Sequence, residues 1–143
     1  MQIGEFFTLD EMTATSMPFP NKPELFHIVN SVRLCALVLD PLRRMAGPLT
    51  PTSWFRSSAV NEAVGGHPGS FHTLGLAADI WSGRHSPKAL LEMLGALEFD
   101  RACYYPNKEF MHVQIAAIGS LPRGELFVDR GQGWKPINAD TRR

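Results

Sequence analysis

The chain has 143 residues, 44% of them hydrophobic and 20% charged, with a formal net charge of zero. That balance fits a folded globular protein and excludes a disordered one, and the length suffices for one domain with a sizeable core. No dense Lys/Arg run precedes the terminal Arg142-Arg143, so nucleic acid is not expected as a partner, because phosphate binding leaves a basic footprint.

Met1-Gln2-Ile3-Gly4-Glu5 lacks the basic start and apolar core of a secretory signal. The longest apolar run, Leu34 to Leu39, is too short to span a bilayer. No membrane insertion is expected, and the chain is read as a monomer. Cys35 and Cys103 have no metal-ligand spacing and read as two buried apolar thiols.

In chain order, Thr8-Leu9-Asp10-Glu11 has the form of a capping box and predicts a short helix to about Ser16. Three prolines within Met17 to Pro23 mark an irregular connector. From Glu24 to about Met45, apolar residues recur at three- and four-residue steps through Leu25, Ile28, Val32, Cys35, Leu39 and Leu42. This is the stripe of the main amphipathic helix, with Pro41 expected to kink or tighten it. Gly47-Pro48 ends it. Leu49 to Phe55 predicts a strand in which Pro51 marks a sheet edge or an irregular start, with Arg56 at its exit. Ser57 or Ser58 caps a short helix over Ala59 to Val64, closed by Gly65-Gly66.

Leu76 to Trp81 reads as a strand and Ser82 to His85 as a loop. Ser86-Pro87 opens another helix, whose buried stripe is Leu90, Leu91, Leu94 and Leu97. Arg101 to Tyr105 and Phe110 to Ala116 form an expected antiparallel hairpin. Leu126 to Val128 adds a strand, and the tail beyond Trp134 is expected to be loose. No repeat or linker divides the chain, so residues 1–143 are read as a single α+β domain, with helices packed on one face of a small, mostly antiparallel sheet.

The chemistry concentrates in Ser70-Phe71-His72-Thr73-Leu74-Gly75-Leu76-Ala77-Ala78-Asp79-Ile80 and in Phe110-Met111-His112-Val113. Gly75 permits a sharp reversal, so a loop presents His72 while the following strand presents Asp79. His112 completes the set from a neighbouring strand. Two imidazoles and a carboxylate are what an open zinc site uses, with the fourth position left to water. Ser70 is placed to orient a ligand from behind. Hydrolysis also needs a base, for which Glu109, three residues before His112, is the candidate. Arg56 is the candidate partner of a substrate carbonyl or carboxylate, because its fork holds two oxygens. The remaining histidines get blander readings: His27 a helix residue, His85 solvated, and His67 near the site.

The pattern Ser53…Arg56…Asn61…Gly65-Gly66…Ser70-x-His72-x-x-Gly75-x-Ala77-x-Asp79-Ile80…His112-Val113 resembles the zinc D-Ala-D-Ala carboxypeptidase family. That family includes phage endolysin peptidases and is related to the hedgehog-type zinc fold. The resemblance spans about residues 25 to 116. It implies a hedgehog/DD-peptidase-like fold and hydrolysis of a peptidoglycan stem peptide. It also implies zinc on His72, Asp79 and His112, Glu109 as general base, and Arg56 at the carbonyl. Met111 stands where the best-known members carry tryptophan beside the third ligand. The competing expectation is a zinc-stabilised, non-catalytic module that binds cell wall or a protein. With no signal segment, release to the wall by phage lysis or carriage in a virion is the expected context.

Overall fold

A computed structural model of the chain describes residues 1–137. Thr8 caps α1 (Leu9–Thr13): its hydroxyl accepts from the Glu11 N–H while the Glu11 carboxylate accepts from the Thr8 N–H. The capping box therefore forms as expected, although the helix stops a turn earlier than Ser16. The main helix is continuous over 22 residues, Leu25–Ala46, and has three parts. α2 (Leu25–Leu34) and α3 (Asp40–Ala46) flank one π-helical turn, Cys35–Leu39.

The π turn is the response to Pro41. Proline offers no N–H to the carbonyl one turn back, and its ring crowds that carbonyl. The helix accommodates it by widening, with the Asp40 N–H donating to Cys35 O, five residues back. Of the expected kink or tightening, the tightening is thus replaced by its opposite. This helix has membrane-spanning length, yet its inward stripe of Leu34, Cys35, Val38, Leu39 and Leu42 is fully buried in the common core with Ile80, Met111 and Val113.

Among the described residues, six strands form one sheet in the order β1-β2-β4-β3-β5-β6. They are β1 (Leu49–Ser53), β2 (Ala77–Ser82), β3 (Arg101–Tyr105), β4 (Phe110–Gln114), β5 (Glu125–Val128) and β6 (Lys135–Pro136). All neighbours are antiparallel except β3 and β5, which run parallel. The α+β class and the β3–β4 hairpin are as expected, and β1 with its Pro51 does lie at an edge. One expectation is corrected. Past Trp134 the chain is not loose at once, because Lys135–Pro136 pairs with β5; the remainder of that tail, residues 138–143, lies outside the described residues.

α4 (Ser58–Ala63) is capped by Ser57, and α5 (Pro87–Met93) by Ser86 with Pro87 in its first turn. α5 packs its buried Leu90 and Leu91 toward β3 and β4. Alternation along the strands sends Ile80, Met111 and Val113 into that core and turns Asp79, His112 and Gln114 to the other face. Both cysteines are buried and unbonded. Burial pushes the Cys103 thiol up to about 12 and raises Cys35 as well, so neither is a reactive thiolate at neutral pH.

Candidate metal centre

The register of two strands places the first pair of candidate ligands. Asp79 on β2 lies directly opposite His112 on β4, which brings their side chains together on one face. His112 Nδ1 is 3.0 Å from Asp79 Oδ1. His72 arrives on a 3₁₀ turn, Phe71–Leu74, whose N-cap Ser70 accepts the His72 N–H at 3.2 Å. Ser70 therefore acts on the backbone that carries His72. The turn ends at Gly75, whose φ of +75° lies in the left-handed region. A Cβ there would stand 2.5 Å from the carbonyl oxygen of His27, so only glycine lets this loop lie against α2.

Trp54 fixes the His72 ring. Its carbonyl oxygen lies 2.6 Å from His72 Nδ1, while its indole N–H donates to Ser31 Oγ, which in turn donates to Gly75 O. With Nδ1 donating to Trp54, a neutral His72 turns the lone pair of Nε2 toward Asp79 Oδ1, 3.2 Å away. Two acceptors at that distance repel unless a cation, or a proton on Nε2, lies between them. The three donor atoms all fall within 4.8 Å of one another, and all three residues are buried. Tetrahedral zinc bonds of about 2.0 Å would separate ligand atoms by roughly 3.3 Å, close to the spacing found. The donor set and its geometry fit zinc.

Burial works against ionising Asp79, but when the imidazoles are protonated the charge of His72 and the hydrogen bonds from both rings outweigh it and hold the carboxyl well below the ordinary carboxylate range. Arg56 also reaches this carboxylate, with Nη2 3.5 Å from Asp79 Oδ2. Its Nε donates to Ser53 Oγ and its Nη1 to Asn61 Oδ1, and the Asn61 amide holds the carbonyl of His67. Asn61 is thus the brace between Arg56 and the His67 loop.

A cleft of about 390 Å³ opens beside His112, lined among others by His67, Ser70, Phe71, Gln114 and Trp134. Trp134 sets its ring 5.2 Å from that of His112 and donates its indole N–H to the Tyr105 hydroxyl at 2.6 Å. Of the sequence-predicted residues, the fold brings together His72, Asp79, His112, Arg56 and Ser70. Among the described residues, Glu109 belongs neither to the converging donors nor to the cleft lining. Glu109 is exposed in the β3–β4 turn with a φ of +61°, and it lines a separate cavity beside the start of α5 with Trp81, His85 and Tyr104.

The family model for peptidase M15 matches residues 6–114, a stretch that holds His72, Asp79, His112, Arg56 and Glu109. The chain belongs to the M15 peptidase family, the zinc D-Ala-D-Ala carboxypeptidase-like group. A comparison with curated proteins finds no match. Membership makes this M15 chain a zinc-dependent metallopeptidase by family, acting on a peptide substrate. Trp134 at the cleft lies beyond the matched stretch and was not anticipated as a site residue. Gln114 was missed as well, although a strand period of two puts it on the same face as His112 and could have exposed it.

Proposed function

We propose that this M15 chain hydrolyses an amide bond in a peptidoglycan stem peptide, with zinc held by His72 Nε2, one oxygen of Asp79 and His112 Nδ1. The observation that carries the reading is the buried convergence of these three donors beside an open cleft. Bound there, zinc supplies Lewis acidity toward the scissile carbonyl and lowers the pKa of a water. Arg56, tied down by Ser53 and Asn61, aims its guanidinium at the same centre and steadies the carbonyl oxygen as charge develops on it. Trp134 walls one side of the cleft and limits water around the reacting bond.

Glu109 enters as the general base by its position three residues before His112. Glu109 lines the neighbouring cavity, and a movement of the Pro106 to Glu109 turn toward His112 would carry its carboxylate to the cleft. That separation favours a second reading, a zinc-stabilised module that binds cell-wall peptide without cutting it.

Digestion of purified peptidoglycan by the zinc-loaded protein, followed by mass spectrometry of the muropeptides, tests both. New amino termini are expected, and the mass lost names the bond and separates carboxypeptidase from endopeptidase. His72→Ala and Asp79→Ala should lose zinc and hydrolysis together, and full activity in either rejects the site. Glu109→Gln should keep its zinc and lose at least about 100-fold in kcat; an unchanged rate removes Glu109 from the mechanism. Tight binding with no product selects the module.

A further inference from the structure

A line of buried polar groups runs away from His112 on the side opposite Asp79. His112 Nε2 is 2.9 Å from Gln114 Oε1, and Gln114 Nε2 donates to Asp100 Oδ2 at 3.0 Å. Asp100 sits just before β3 and Gln114 ends β4, and the Asp100 N–H donates to Gln114 O at 2.8 Å, so the hairpin itself fixes their spacing. His112, Gln114 and Asp100 are 7%, 6% and 2% exposed, which leaves little room for water to substitute for any partner. Arg123 closes the line. It grips Asp100 with Nε on Oδ1 at 2.9 Å and Nη2 on Oδ2 at 2.6 Å, and its own N–H adds a third bond to Oδ1.

Each member dictates the next. An ionised carboxylate accepts hydrogen bonds and donates none. Asp100 is kept ionised by the Arg123 fork, which with the Gln114 bond brings its pKa down to about 2 despite burial. Gln114 must therefore turn its NH₂ toward Asp100, because the flipped amide would set oxygen against oxygen. Its carbonyl oxygen is then left facing His112, and an acceptor there calls for a proton on Nε2. A neutral imidazole with its proton on Nε2 carries its lone pair on Nδ1, the atom 3.0 Å from Asp79 Oδ1. Without Gln114, Asp79 would be the acceptor that draws the proton onto Nδ1 and blocks it.

We propose that Asp100 and Gln114 are positioning residues that hold His112 as its Nε2–H tautomer and so keep Nδ1 open as a ligand. His72 is set the opposite way, by the Trp54 carbonyl on its Nδ1, so the two histidines present different ring nitrogens to one point. The role of Nδ1 as a ligand rests on the zinc reading above; the tautomer itself does not.

Imidazole ¹⁵N–¹H correlation spectra of the metal-free protein, recorded at alkaline pH, read the tautomer directly. Zinc affinity is read separately by competition with a chelating dye. In the wild type His112 should carry its proton on Nε2. Gln114→Met, similar in size but without the acceptor, should move the proton to Nδ1 and weaken zinc binding about 10- to 100-fold. The His72 Nδ1–H signal in the same spectra reports whether the site is still folded. Should that variant fail to fold, Asp100→Asn, which keeps the shape but no longer orients the amide, should give a mixture of tautomers and a smaller loss of affinity. A wild-type His112 protonated on Nδ1 overturns the proposal, as does a folded Gln114→Met with unchanged tautomer and affinity. A wild type with the Nε2–H tautomer that takes up no zinc rejects the zinc reading and leaves the relay standing.

Discussion

Replacing Gly75 with alanine separates two reasons for glycine at the end of the His72 turn. The first is conformational: φ is +75°, where an L side chain costs about 1–2 kcal/mol. The second is space, since the new Cβ would sit 2.5 Å from the His27 carbonyl oxygen and 3.1 Å from Ser31 Oγ. That oxygen belongs to helix backbone and cannot rotate away, so the loop and α2 must part, at the roughly 1–3 kcal/mol of an overpacked site. Together the loss should be about 2–5 kcal/mol. Gly124→Ala supplies the control: φ is +64° there, but nothing among the described residues lies within 4 Å of the added Cβ, so only the first cost applies. Urea denaturation read by tryptophan fluorescence compares the two, and in thermal melts about 3 °C should accompany each kcal/mol for a chain of this size. Zinc affinity should fall in Gly75→Ala alone, because the turn that carries His72 moves. Equal destabilisation of the two variants would refute the close-approach argument.

Arg56→Ala should lower kcat on the order of 100-fold while zinc affinity changes little, since the arginine meets Asp79 Oδ2 and the ligand contacts are made by Oδ1; a parallel loss of metal would make it a structural partner of the carboxylate instead. The pH dependence of stability should carry the mark of Asp100. Its folded pKa of about 2 lies below the unfolded value, so its contribution is complete above about pH 4 and is lost as pH falls toward 2. The stability gap between wild type and Asp100→Asn should therefore reach roughly 2 kcal/mol near pH 7 and close in acid. A gap that stays constant with pH would show that the carboxylate's charge is not what Arg123 holds.

The capping box at Thr8, the Ser86-Pro87 start of α5 and the edge placement of β1 could all be read from the chain because each rests on neighbours a few residues apart. The candidate ligands His72 and Asp79 could be picked out for the same reason, and His112 through its motif. What escaped depends on pairing between distant segments. Nothing near Asp100 announces that Arg123 will grip it, because that contact follows from the parallel pairing of β3 with β5. Trp134 reaches His112 only after the chain has crossed the sheet to β5 and turned back into β6. Pro41 was visible as a disturbance, but whether a helix tightens or widens around proline depends on which core contacts are kept. Here widening leaves Cys35, Val38 and Leu39 all inside. Glu109 illustrates the limit of spacing as a guide: it has a left-handed backbone and lines a different cavity from the cleft beside His112.

Asp79 and His112 are rungs of one ladder, hydrogen-bonded through β2 and β4 in the interior of the sheet. Their separation is set by the interstrand repeat, and sliding one strand by a residue would send one of the two into the hydrophobic core. The entropy of gathering these ligands is therefore spent when the sheet zips up, not when an ion arrives. Chelation should leave the backbone of this protein standing, with its amide-exchange protection nearly unchanged across β2 and β4, unlike a zinc finger that melts without its metal.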